Sequence, residues 1–185
     1  TTPIYYVNDR PHIGHAYTSV ACDVLARFSR LSGAKTYFLT GTDEHGQKVE
    51  KSAATAGILP QQLADMNSQH FRDLTSLLNL SNDDFIRTTE PRHIASAQAL
   101  WKRMEEKGHI YLGSYAGWYS VRDEAYYQES ELVNGRAPTG ADVEWVEEPS
   151  YFFKLSAFTD KLLAHYTAHP EFIGTESRLN EIVSF

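Results

Sequence analysis

The chain opens on Thr2-Pro3-Ile4-Tyr5-Tyr6-Val7, an aromatic and β-branched run that predicts a strand. Asn8-Asp9-Arg10-Pro11, rich in turn formers, ends it. From about His15 to Leu31 the pattern changes to helical spacing, with Val20, Ala21, Val24, Leu25 and Phe28 on one stripe. Ser32-Gly33 stops that helix, as a glycine in a left-handed conformation does. Thr36-Tyr37-Phe38-Leu39 predicts a second short strand, bounded by Thr40-Gly41-Thr42-Asp43-Glu44-His45-Gly46. Strand, crossover helix and strand imply a parallel sheet with a right-handed connection. Ligands of such sheets sit beyond the carboxyl ends of the strands, where the loops 8–15 and 40–46 both fall.

Further along, helices are expected from Gln47 to Ala56 and from Pro60 to about Leu80, the second with a buried stripe of Leu63, Met66, Phe71, Leu74, Leu77 and Leu78. Asp84-Phe85-Ile86-Arg87-Thr88 predicts a third strand, and Pro91 to Lys107 a helix closed by Gly108. Between His109 and Ser150 the texture turns to aromatic-rich short strands, with turns at Asn134-Gly135 and Pro138-Thr139-Gly140. Helix is expected again from Phe152 to about His169, broken by Pro170, and a last helix from near Glu176. The fold class is therefore α/β, a Rossmann-like parallel sheet interrupted by a small β-rich insertion and followed by a returning helical segment. The divisions are 1–107, 108–155 and 156–185.

Composition narrows this picture. With 185 residues, 42% apolar and 12% aromatic, the chain can bury a core and is not disordered. A net charge of -7 argues against a surface dedicated to coating nucleic acid. Cys22 is the single cysteine, so neither a disulfide framework nor a cysteine zinc site can form. No apolar run of about 18 residues and no signal peptide is present, which points to the cytosol and away from a membrane. Thr1 already opens a strand, and Asn180 to Phe185 stops within an unfinished apolar pattern; the chain reads as a piece of a longer protein.

The chemistry concentrates in Pro11-His12-Ile13-Gly14-His15. His12 and His15 straddle a helix entrance, where free backbone N–H groups and the positive dipole end favour phosphate. Gly14 lets a flat group such as adenine come close to the backbone. Two imidazoles there could donate to charge developing during displacement at an α-phosphate. They could equally be capping or surface histidines. A third reading takes His12, His15, Asp43 and His45 as the ligands of a metal-dependent hydrolase.

His12-Ile13-Gly14-His15 is the signature of class I aminoacyl-tRNA synthetases without departure. The runs Pro3 to His15 and Phe38 to Lys48 resemble the methionyl enzymes in particular, as do Asp84-Phe85-Ile86-Arg87-Thr88, Tyr115-Ala116-Gly117-Trp118-Tyr119 and Ser150 to Leu155. The likeness extends through Val143-Glu144-Trp145-Val146 and Glu176 to Glu181, so it covers essentially the whole chain. The resemblance implies methionine activation by ATP with Mg²⁺ and transfer to tRNA(Met) by the complete protein, with a monomer favoured. It implies that Asp43 binds the methionine α-ammonium and that Ile4, Tyr5 and Tyr6 contact methionine, the thioether gaining from aliphatic and aromatic contact. It implies too that Pro11, His12, Gly14, His15, Glu44, His45 and Gly46 face ATP, with His12 and His15 catalytic. Asp43 as a helix N-cap and Tyr5 and Tyr6 as plain strand residues are the competing structural readings.

The insertion departs from the family. Many methionyl enzymes carry a zinc knuckle there with two C-x-x-C pairs; Ser120, Asp123, Ala137 and Gly140 stand at those positions. These residues cannot form a structural zinc site, so none is expected, and packing of Trp118, Tyr119, Tyr126, Tyr127 and Trp145 is expected to hold the unit. The family's second signature, KMSKS, is not within the chain, so the piece by itself is expected to be inactive. A class I synthetase for another apolar amino acid shares the first signature, but usually carries a far larger editing insertion.

Overall fold

The computed structural model describes residues 1–184. They form two compact bodies: residues 1–99 with 118–144, and residues 100–117 with those from Trp145 on. Among the described residues no helix is long and apolar enough to cross a membrane.

In the first body β1 (Tyr5–Tyr6), β2 (Leu39–Asp43) and β3 (Asp84–Arg87) form a parallel sheet in that order. The register sets Tyr5 beside Thr42, Tyr6 beside Asp43, and Thr42 beside Arg87. The three strands therefore deliver their carboxyl ends to one edge. Helix α1 (Ile13–Leu31) connects β1 to β2, and α2 (Gln47–Ala56) with α3 (Pro60–Leu77) connects β2 to β3.

The strands differ from the sequence expectation in extent. β1 keeps only two residues of the run 2–7, because Pro3 has no N–H to give a ladder. β2 lies on Leu39–Asp43 instead of 36–39. Ahead of it the carboxylate of Asp83 accepts from the Phe38 N–H at 2.6 Å, taking the donor a longer strand would use. Gly41 is what lets β2 approach β3, since a Cβ there would lie 2.0 Å from the Ile86 carbonyl oxygen.

The core of this body joins Tyr5, Val7, Val49, Ala53, Leu63, Ala64, Phe71 and Phe85. On α3 the buried face carries Leu63, Asn67 and Phe71, at i, i+4 and i+8, while Met66 and Leu77 of the expected stripe are exposed. Asn67 holds its inward place by donating to the Val7 carbonyl at 2.6 Å. Helix α1 reverses expectation more completely. Val20, Val24, Leu25 and Phe28 point outward, and Ser19, Asp23 and Ala26 are buried. Polar anchors decide this: Ser19 Oγ bonds the Tyr5 hydroxyl at 2.9 Å, and Asp23 accepts from the backbone N–H and the hydroxyl of Ser81, both at 2.6 Å.

The first body also holds the end of β4 (Ile110–Ser120), which pairs antiparallel with β5 (Ala125–Tyr127), Trp118 opposite Tyr127 and Tyr119 opposite Tyr126. The expected turn at Asn134-Gly135 is present, with φ of 53° and 74°, and it bridges Val133 to Arg136.

In the second body the earlier part of β4 neighbours β6 (Glu144–Phe153). Phe152 and Phe153, expected to begin a helix, are strand residues. Phe152 stacks on Tyr111 at 5.5 Å and covers Gly113, while the Lys154 N–H donates to the His109 carbonyl at 2.8 Å. Helix α4 (Pro91–Glu106) ends at Gly108 as expected, and its Trp101 meets Tyr151 edge-on at 5.3 Å. Helices α5 (Thr159–Ala168) and α6 (Glu176–Ser184) follow.

Candidate active site

The turn after β1 brings His12 to the N-cap of α1. Its Nδ1 accepts from the Gly14 N–H at 3.1 Å, and the Nδ1 of His15 accepts from the His12 N–H at 3.0 Å. This reciprocal cap uses the helix's free donors inward and fixes both rings. With each Nδ1 an acceptor, the hydrogen is assigned to Nε2, which remains available to an incoming anion. The rings lie 3.8 Å apart, and His15 packs edge-on to Tyr5 and Phe71. Burial, with the neighbouring His12 charge second, lowers the His15 pKa. The space beside Gly14 is bounded by the His12 ring, 3.0 Å from where a Cβ would stand. Glycine at this position thus admits the folded-back imidazole.

Ile4, Tyr5, Tyr6, His12 and His15 line one cavity of about 380 Å³, together with Asn8, Asp9 and Arg10. Alternation along β1 separates the tyrosines: Tyr5 is 8% exposed in the core, while Tyr6 is 47% exposed. Asp43 sits beside Tyr6 across the strand pair. Its carboxylate is half-buried and makes no hydrogen bond or ion pair among the described residues, so it caps no helix; Gly46 precedes α2. Pro11 faces elsewhere, towards His70 and Leu74. Sequence reasoning gave no role to Lys48, whose Nζ stands 5.6 Å over the Tyr6 ring, or to Arg10; their positions within the two long matching runs were the available signal.

Glu44, His45 and Gly46 line a second, smaller cavity of about 150 Å³. The Glu44 carboxylate is fully buried against Arg87, which also pairs with Asp65 of α3. Those bonds, Glu44 first, push the Arg87 pKa up and hold Asp65 below its usual range. His45 Nε2 lies 3.4 Å from the Thr88 carbonyl. Among the described residues no three His, Cys, Asp or Glu side chains are placed to hold a metal, so His12, His15, Asp43 and His45 do not assemble a ligand set.

In the insertion, Ser120 Oγ accepts from the Asp123 N–H at 3.3 Å, and the Gly140 N–H donates to the Ala137 carbonyl at 2.8 Å. Asp123 links the two pairs by accepting from the Thr139 hydroxyl, and it also accepts from Tyr127 at 3.1 Å. The aromatic contact between Tyr119 and Tyr126 is thus joined by a polar hub that the sequence did not reveal.

A helix capped by two histidines and a carboxylate without a partner among the described residues both lie at the carboxyl edge of a parallel sheet, where ligands of such sheets bind. The family model for "tRNA synthetases class I (M)" matches residues 1–144. The chain belongs to the methionyl branch of the class I tRNA synthetases. It is 62% identical over its whole length to the methionine–tRNA ligase of Rickettsia bellii and 59% identical to that of Rhizobium meliloti, spanning 36% and 37% of those proteins. Among solved structures it is similar to Mycobacterium tuberculosis methionyl-tRNA synthetase in complex with methionyl-adenylate, with a TM-score of 0.91 at 53% identity over 98% of this chain and 37% of that one. The apo form of that enzyme gives a TM-score of 0.72 at 47% identity, over 100% of this chain and 37% of that one.

Proposed function

We propose that this chain supplies the amino-acid and α-phosphate subsites of a protein that condenses methionine with ATP to methionyl-adenylate, releases pyrophosphate, and transfers the methionyl group to tRNA(Met). The observation that carries the reading is the carboxylate of Asp43, without a partner among the described residues, beside Tyr6 at the same sheet edge as the histidine-capped helix. A fixed carboxylate is the natural partner of an α-ammonium group, and Ile4 and Tyr6 offer the apolar surface a thioether favours. The Mycobacterium tuberculosis relative was solved in complex with methionyl-adenylate, which supports the same ligand for this chain.

Catalysis then consists of orientation and charge stabilisation. Asp43 and Tyr6 hold methionine so that its carboxylate faces the α-phosphate in line with the leaving pyrophosphate. The carboxylate oxygen forms the new bond to phosphorus as the bond to the pyrophosphate oxygen breaks. Charge gathering on the α-phosphate oxygens is met by Nε2–H of His12 and His15 and by the positive dipole end of α1. Neither histidine needs to gain or lose a proton. The described residues offer no cage for Mg²⁺, which in this reading travels on the phosphates of ATP, and no step depends on it here.

Methionine-dependent ATP–pyrophosphate exchange by the full-length protein tests the reading. Exchange that needs methionine and is lost in Asp43→Ala is expected. An intact protein without exchange rejects it.

A further inference from the structure

We infer that Glu44 is a positioning residue that, with Arg87, holds Asp43, and that it does not touch ATP. This rests on the methionine site proposed above. The Glu44 side chain is 0% exposed, and both oxygens are fully engaged. Oε1 accepts from Thr42 Oγ1 and Arg87 Nε, each at 2.7 Å. Oε2 accepts from Arg87 Nη2 at 2.9 Å and from Thr89 Oγ1 at 2.5 Å. A carboxylate has about four acceptor sites, so none is left for a ribose hydroxyl, and an anion is a poor neighbour for phosphates.

The same residues fix the backbone around Asp43. The Glu44 N–H donates to Thr88 Oγ1 at 2.9 Å, and the Thr88 N–H donates to the Thr42 carbonyl at 3.2 Å. Among the described residues the Asp43 side chain has no anchor, so its place is set by Thr42 on one side and Glu44 on the other. Arg87→Gln leaves the buried Glu44 charge uncompensated, and Glu44→Gln leaves Arg87 only the exposed Asp65, so in each case the loop must shift. A displacement near 1 Å is enough to cost on the order of a hundredfold in a positioned reaction.

The test uses the full-length protein with Glu44→Gln, Arg87→Gln, the double variant and Thr89→Ala, measuring KM for methionine, KM for ATP, kcat and the unfolding temperature. Each single change at 44 or 87 is expected to raise the methionine KM roughly tenfold or more with the ATP KM unchanged. The double variant is expected to be no worse than the worse single one, the non-additivity of two residues acting as one unit. Thr89→Ala removes one donor to Oε2 and is expected to move the methionine KM the same way by less, which keeps the test open if Glu44→Gln does not fold. A raised ATP KM with normal methionine KM overturns the proposal. So does a loss of folded protein with both KM values unchanged. Failure of the underlying site reading shows separately, as a normal methionine KM in Asp43→Ala.

Discussion

The His15 ring sits edge-on to Tyr5 with centroids 4.8 Å apart, while the His12 ring lies at 3.8 Å. One imidazole is thereby fastened both to the core and to the helix cap. Burial and the His12 charge make its protonation unfavourable, so its pKa falls below the ordinary 6.5. The unfolded chain therefore binds the proton more readily than the folded one. The associated stability is complete above 6.5 and is lost as pH falls towards the lowered value. NMR titration of the ring should give a midpoint below 6.5, and His12→Ala should move it part of the way back, burial remaining. A midpoint at or above 6.5 in the unaltered protein contradicts this packing.

Gly41 tolerates no side chain. Its Cβ position is 2.0 Å from backbone oxygen and 2.7 Å from Ile86 Cγ2, so β2 and β3 must separate to admit a methyl group. Gly41→Ala is expected to cost at least the ~1–3 kcal/mol typical of overpacking, read as a lowered midpoint in denaturant. An unchanged midpoint would mean that the strands are not so close.

Asp23 is the anchor of α1. Burial opposes its charge, but hydrogen bonds from Ser81 and Arg27 outweigh that and hold the carboxyl below its usual range. An acid of this kind contributes stability that is full above about 3.8 and lost as pH falls through its folded value. Asp23→Asn should cost ~1–3 kcal/mol near neutrality and leave a shallower acid limb in the stability–pH curve. An acid limb as steep as before would remove Asp23 from this role.

In the insertion, Asp123 joins the turn at 120–123 to that at 137–140 by accepting from the Thr139 hydroxyl. The Thr139 hydroxyl, then Arg122 and Tyr127, hold its carboxyl below the usual range. Asp123→Ala is expected to lower the unfolding temperature and to speed amide exchange between 120 and 140. Dialysis against a strong chelator is expected to change neither, and a fall in unfolding temperature on chelation would show a structural metal.

Legibility followed the scale of the interaction. The order of strands and helices in the first body could be read because Gly33, Gly57 and Pro60 punctuate it locally. The histidine cap could be placed because His12 and His15 flank the first turn of α1. The orientation of α1 could not, since its buried face is selected by Ser81 and Tyr5, 58 and 14 residues away from their partners Asp23 and Ser19. The motif resemblance places Glu44 near ATP, while its contact with Arg87, 43 residues on, is invisible to any local pattern. The same holds for Phe152 and Phe153, whose strand conformation depends on Tyr111 and His109.

The outward stripe of α1 has a practical result. Ile13, Tyr17, Val24, Leu25, Phe28 and Leu31 are all exposed on one helix, a contiguous greasy surface of the kind that drives aggregation. Residues 1–185 produced on their own should bind a hydrophobic dye and self-associate at moderate concentration. Exchanging Leu25 and Phe28 for glutamate should make that preparation tractable without touching the cap, the sheet or the cavity.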